Sequence, residues 1–262
     1  DGGGSMTVEA QMCPEDAFRG DGSPEVAKEL DTLLAGVRRL LTEVFDRLEK
    51  VADDVIGRRR AALADHGSFR VPDLAGIKPT LIEQASEQQA ADGFGFLVAA
   101  GVLPDRDRHI EWWQRGSTGF VQLRLNLDPT SVDVYEYFEM EWFAAGRDHG
   151  RRAVHGPYVD YFGADRYIFT FALPVVDEIF LGVAGADLQV RGFEPRLLAA
   201  LRETTHDAVL VGPERRVIAA NTSRWLVGSR LPETPRAGRG EFVAVGDVGL
   251  DSDWVLALAA RE

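Results

Sequence analysis

The chain lacks most of the features that usually announce a function. It has one cysteine, Cys13, among 262 residues. That excludes an intramolecular disulfide framework and favours a reducing compartment. Its five histidines, His66, His109, His149, His155 and His206, stand at no metal-ligand spacing, so neither a metal nor a cofactor is indicated. Basic residues are scarce: 29 Lys and Arg face 42 Asp and Glu, a formal net charge of -13. A nucleic-acid surface needs clustered bases. Here Arg58-Arg59-Arg60 and Arg151-Arg152 lie among acids and read as solvated faces. Long apolar runs are missing too. Phe94 to Leu103 and Phe169 to Val176 are too short to span a bilayer, so no membrane role is expected. No P-loop, dinucleotide fingerprint or Gly-x-Ser-x-Gly elbow occurs.

The apolar fraction of 45% is that of an ordinary globular protein, and the length allows one large or two small cores. Residues 1–24 read as a disordered leader, polar and broken by Pro and Gly, in which Asp1 to Ser5 look like a cloning remnant before a native Met6. Residues 7–25 have no hydrophobic centre and so do not form a signal peptide, which gives a cytoplasmic expectation. Ser23-Pro24 then opens a long helix over 25–66, with Ser23 as N-cap. Val26, Leu30, Leu33, Val37, Leu40, Leu41, Val44, Leu48, Val51 and Val55 draw one apolar stripe at spacings of three and four. That stripe serves either packing along the chain's own domain or, in addition, a homodimer seam.

A larger α+β unit is expected over 67–205. A second helix runs from Leu74 to Ala91, followed by strand-like segments at 94–100, 109–114, 119–127, 167–174 and 179–190. Residues 129–147 read as short helices, beginning with Pro129 to Tyr137, and 193–205 as another. A smaller unit over 206–262 repeats the strand pattern at 208–212, 216–220, 241–245 and 254–258. Trp112 and Trp113 on one strand point to opposite faces, one to the core and one to a pocket wall. His149 and His155, with Arg151 and Arg152, fall in a Gly-rich segment that reads as a flexible lid.

The chemistry is concentrated between Tyr135 and Leu188. An aromatic cluster, Tyr135 to Phe143, precedes Pro157-Tyr158-Val159-Asp160 and then Gly185-Ala-Asp187-Leu188. Aromatic faces attract cations and carboxylates pair with them, so this set suits a small cation pocket. The order of elements resembles the double Cache sensor domains, two PAS-like modules, each an antiparallel sheet with flanking helices, on one long N-terminal helix. In the amino-acid-sensing members of that family the motif runs Tyr, an Arg five residues on, Trp-Tyr, then Pro-Tyr-Val-Asp and Gly-Asp-Leu. Tyr135, Trp142, Tyr158, Asp160 and Asp187 match it, whereas Met140 stands at the Arg position and Phe143 at the second aromatic. The smaller unit is similar to the family's second module at Val209-Leu-Val-Gly-Pro-Glu-Arg-Arg-Val-Ile-Ala and at the Leu226-Val-Gly-Ser turn.

The resemblance implies a ligand-binding sensor that is not an enzyme. Its carboxylate clamp is gone, and its ammonium-binding residues, Tyr158, Asp160 and Asp187, are kept. A small organic amine is therefore the expected ligand. Glu139 and Glu141, beside Met140, either face water or hold the far end of a diamine. An unidentified output protein is expected to receive the signal. An amino-acid sensor, an amine scavenger and an amine-modifying enzyme are the other readings, and Asp160 and Asp187 also read as the acid/base pair of a hydrolase.

Overall fold

The computed structural model describes residues 23–161 and 166–261. The expectations for the leader, Met6 and Cys13 lie outside the described residues. Helix α1 spans Pro24–His66 without a break. The Ser23 hydroxyl accepts the Val26 amide at its start, and Gly67 closes its end at φ 74, a left-handed position that glycine takes without a Cβ clash. Its stripe is buried from Leu30 to Ala62, and each large apolar side chain so covered contributes roughly 1.5–3 kcal/mol. Packing, more than helix propensity, therefore holds it. Since the stripe is covered within the chain, a homodimer through α1 has to use its polar outer side.

A single turn, α2 (Val71–Ala75), and α3 (Lys78–Glu87) replace the one longer helix expected from Leu74. The larger sheet follows, built from β1 (Ala91–Val98), β2 (Ile110–Arg115), β3 (Phe120–Gln122), β4 (Ala153–Asp160), β5 (Arg166–Asp177) and β6 (Ile179–Gln189). It is antiparallel, in the order β3-β2-β1-β6-β5-β4. Helix α4 (Glu141–His149) lies between β3 and β4 in sequence, and α5 (Val190–Ala200) follows β6. The smaller sheet has β7 (Asp207–Val211), β8 (Val217–Ala220), β9 (Phe242–Asp247) and β10 (Val255–Ala259), in the order β8-β7-β10-β9. The fold is the expected α+β arrangement of one long helix and two antiparallel sheets.

Two expectations are corrected here. Residues 129–136 are not helical. Asp128 accepts from the Thr130 amide at 2.9 Å and hydroxyl at 2.7 Å, and the Asn126 amide group donates to the Ser131 hydroxyl. Such local side-chain bonds give the backbone a turn in place of helix. The segment expected to be a lid is the edge strand β4, paired with β5 from Ala153 to Asp160.

Alternation in the larger sheet decides what faces what. Phe94, Phe96, Phe169, Phe171, Ala184 and Ala186 belong to the core shared with α1. The intervening Leu97, Ala172 and Val183 belong to a second core under α4, with Trp112, Tyr137, Trp142 and Phe143. Helix α1 touches both sheets. Arg38 donates to the carbonyls of Asp247 and Val248 beside β9, at 2.7 and 2.8 Å.

Near its N-terminal end, α1 is clipped to the link between the sheets. Glu29 accepts from the Thr204 hydroxyl, from Thr205 through amide and hydroxyl, and pairs with His206 Nδ1 at 3.0 Å. The Thr204 bond, followed by His206, holds its carboxyl at about 2, against an ordinary 4.5. A depressed carboxylate stabilises the fold above its unfolded value and loses that effect as pH falls. Glu29→Gln is expected to cost about 1–2 kcal/mol at neutral pH. It should also flatten the loss of stability between pH 4.5 and 2. Urea melts at several pH values check this.

Candidate functional site

On the α4 side of the larger sheet is a narrow cavity. Its free space is about 470 Å³, open solvent at the mouth included. Trp112 forms part of its wall. A Cβ on Gly95, its partner across β1 and β2, would lie 2.3 Å from the indole. One on Gly93 would lie 2.5 Å from it, and one on Gly185 3.0 Å. Three glycines thus leave the indole room to lie against the sheet face. Trp142 from α4 and Tyr135, fixed by its amide bond to the Asn126 carbonyl at 2.7 Å, add further aromatic surface. Leu97, Ile110, Leu123 and Leu125 complete an apolar part.

The opposite end is polar. Thr170 on β5 faces Asp187 on β6 in register, and the two side chains meet at 2.7 Å. Tyr158 on β4 reaches the same Thr170 hydroxyl at 2.8 Å. Asp160 also borders the cavity. Burial pushes the Asp187 carboxyl up to about 8, opposed by the Thr170 bond and assisted by the charges of Asp160 and Asp92. The phenols of Tyr135 and Tyr158 are raised as well, chiefly by burial and next by Asp187. Asp92 itself is buried and held by Arg166 and by Gln189 Nε2 at 2.6 Å.

Of the residues singled out from sequence, Tyr135, Trp142, Tyr158, Asp160 and Asp187 meet at this cavity. Met140 and Phe143 do not line it. Met140 stands just before α4, half-buried against the second core. Phe143 is fully buried, edge-on to Tyr137 at 5.3 Å and Phe180 at 5.7 Å. Glu139 and Glu141 are exposed, and Glu141 lies 3.5 Å from His155. Trp112 is the tryptophan on the cavity wall, and Trp113 packs against the main core on the other face. Thr170 and Gly185 were missed. Thr170 is the single polar residue in Tyr167 to Pro174, on the face that alternation gives to Ala172, and that was the available signal.

Among the described residues, no Lys, Arg or His borders the cavity. The first three arginines after Trp142 in the sequence are engaged elsewhere. Arg147 bonds Asp148 and the Phe138 carbonyl, Arg151 pairs with Asp251 at 3.2 Å, and Arg152 lies over the Phe45 ring at 4.9 Å. The arrangement can therefore compensate positive charge at one end and cover apolar surface at the other.

No protein-family model and no curated protein matches the sequence. Solved structures do. The ligand-binding domain of the Pseudomonas aeruginosa amino acid chemoreceptor PctB, in complex with L-Arg, is 16% identical with a TM-score of 0.57. The match covers 91% of this chain and 94% of that one. The corresponding domain of PctC, in complex with GABA, is 20% identical with a TM-score of 0.54, covering 90% and 97%. That of the Pseudomonas fluorescens chemoreceptor CtaA, in complex with L-isoleucine, is 15% identical with a TM-score of 0.57, covering 91% of each. These likenesses show the fold, which is the double Cache arrangement that the sequence resembles. The structures that share it are sensory ligand-binding domains, not enzymes.

Proposed function

We propose that this chain is a ligand-binding sensor domain whose larger module takes a small organic monoamine. One observation carries the reading: among the described residues bordering the cavity, Asp160 and Asp187 bring two carboxyl groups and no Lys, Arg or His stands with them. The ammonium lies at these two residues, and Tyr135, Trp112, Trp142 and Tyr158 surround it with aromatic faces. The apolar body of the ligand points toward Leu97, Ile110, Leu123 and Leu125. Exposure of Glu139 and Glu141 leaves no second acid for the far end, so a monoamine fits better than a diamine.

An amino acid is the second reading, because PctB, PctC and CtaA were solved with L-Arg, GABA and L-isoleucine. An amino acid in this cavity buries its carboxylate without a basic partner. That costs about 3–5 kcal/mol, or roughly two to three orders of magnitude in affinity. Met140→Arg is expected to weaken amine binding at least about tenfold, because a longer cationic side chain from that position places like charge near the ligand. It is also expected to bring amino acids into measurable range, since guanidinium holds carboxylate bidentately. A thermal-shift panel of amines and amino acids tests the reading on wild type and variant. A ligand at 100 times its Kd stabilises the fold by about 2.7 kcal/mol. Amino acids shifting the wild type while amines leave it unmoved would sink the proposal.

An output protein is proposed to be reached through α1, which touches both sheets. Ligand-dependent capture of that partner distinguishes a sensor from a scavenger, and mass spectrometry of the amine after incubation tests for turnover. A cytoplasmic location is proposed separately, from the polar stretch at 7–25. Structures with this fold include extracellular domains, and protease accessibility in whole cells decides between the two.

A further inference from the structure

We propose that the ligand keeps at least two N–H bonds, being a primary or secondary ammonium and not a quaternary one, and that it displaces a proton held in the empty cavity as it bridges Asp160 and Asp187. The inference rests on the monoamine reading and narrows it.

The hydrogen-bond chain at the polar end carries the argument. The Thr170 hydroxyl has one hydrogen and touches two groups, Asp187 Oδ1 at 2.7 Å and the Tyr158 hydroxyl at 2.8 Å. With Asp187 ionised, Thr170 must donate to it, and Tyr158 then donates to Thr170. The Tyr158 oxygen is left as an acceptor toward the cavity. With Asp187 protonated through Oδ1, the chain can run the other way: Asp187 donates to Thr170, Thr170 to Tyr158, and the phenol hydrogen turns outward. The first polarity offers a ligand acceptors only, from two carboxylates and a phenol. A quaternary ammonium has no hydrogen for Asp187 or Tyr158, both half-buried at the cavity, and covers those acceptors without giving them a donor, which is costly. A primary ammonium has three N–H bonds to give.

The groups around Asp187 favour the protonated form while the cavity is empty. From β4 it faces Tyr158 and Asp160, from β5 Thr170, and from the segment before α4 Tyr135. From β1 the charge of Asp92 acts on it, and Asp92 is held by Arg166 and Gln189. Among the described residues, no basic side chain borders the cavity. Burial accordingly holds the Asp187 carboxyl near 8. An alkylammonium, like lysine at about 10.4, stays charged through this range. The step is Asp187–COOH plus R–NH3+ giving the carboxylate–ammonium pair and a proton released to solvent.

The test is calorimetry on wild type with isobutylamine and with tetramethylammonium, a quaternary cation of similar bulk. Titrations run from pH 6 to pH 9, in phosphate and in Hepes, neither of which is a primary or secondary alkylammonium. Isobutylamine affinity is expected to rise roughly fiftyfold between pH 6 and pH 8 and then level off. Its apparent enthalpy should differ between buffers by the amount for about one proton released. Tetramethylammonium is expected to bind at least about a hundredfold more weakly. Equal affinity of the two cations would overturn the N–H requirement. Isobutylamine binding that ignores both pH and buffer would overturn the proton exchange. If neither cation binds at any pH, the monoamine reading itself fails and takes this inference with it.

Discussion

Asp187→Asn is expected to remove measurable amine binding while leaving a protein that folds and, above neutral pH, is more stable than wild type. The carboxylate is the more deeply embedded of the two acids, with Thr170 on one oxygen and Asp160 close enough to raise its proton affinity. Taking away the buried partner of a cation costs about 3–5 kcal/mol, so affinity should fall by roughly two to three orders of magnitude. The effect on the empty fold has the opposite sign. A carboxyl raised from 3.8 to about 8 keeps its proton in the native state while the unfolded chain loses it. Native stability therefore falls as pH climbs from 3.8 toward 8. Asparagine does not titrate, so that slope disappears and the variant gains on wild type toward pH 8. Thermal melts across pH, beside calorimetry with isobutylamine, check both halves. Unchanged affinity in the variant contradicts the site, and a variant that does not fold contradicts the account of the apo protein.

Gly95→Ala is the second large effect. The added methyl would meet the Trp112 ring at 2.3 Å and the Glu111 carbonyl oxygen at 2.7 Å. One of those atoms is backbone of the paired strand β2, so relief has to come from the indole, which borders the cavity. Overpacking of this kind costs about 1–3 kcal/mol. Pushing the indole off the sheet closes an already narrow space, and amine affinity should fall at least about tenfold. Gly57→Ala is the control. It sits on the exposed side of α1 with nothing within 4 Å of the new atom, and alanine there should add about 0.5–1 kcal/mol of stability. Tryptophan emission and calorimetry of the two variants give the comparison. A Gly95→Ala protein with wild-type affinity shows that the indole is not a fixed wall.

Periodicity is what made most of the fold readable. The stripe on α1 names a buried face by its spacing, and aromatic and β-branched content marks the strands at 94–98 and 167–174, which are buried on both faces. Residues 129–136 do not form the expected helix because Thr130, Ser131, Val132, Asp133 and Val134 are poor helix formers, and the turn is decided by Asn126, Asp128 and Ser131, whose side chains bond locally. The site was partly readable for the same reason. Asp160 and Asp187 are acids on strands and stand out. Thr170 does not, because its role comes from register with Asp187 across β5 and β6, a pairing that no local pattern contains. Met140 and Phe143 share a segment with Trp142, but helix α4 turns only Trp142 to the cavity and sends Phe143 into the core. The glycines under Trp112 looked like ordinary strand interruptions. Their use is visible only as the atoms a Cβ would strike.

The central claim is that a cavity whose charged wall groups are two aspartates selects an amine over the corresponding amino acid. Calorimetric titration of the wild-type chain with isobutylamine and with L-valine, which differ by the carboxylate alone, measures that selection directly. The account predicts that isobutylamine binds at pH 8 at least about a hundredfold more tightly than L-valine. L-valine binding as tightly as isobutylamine, or more tightly, would contradict it and require a basic group to reach the ligand's carboxylate.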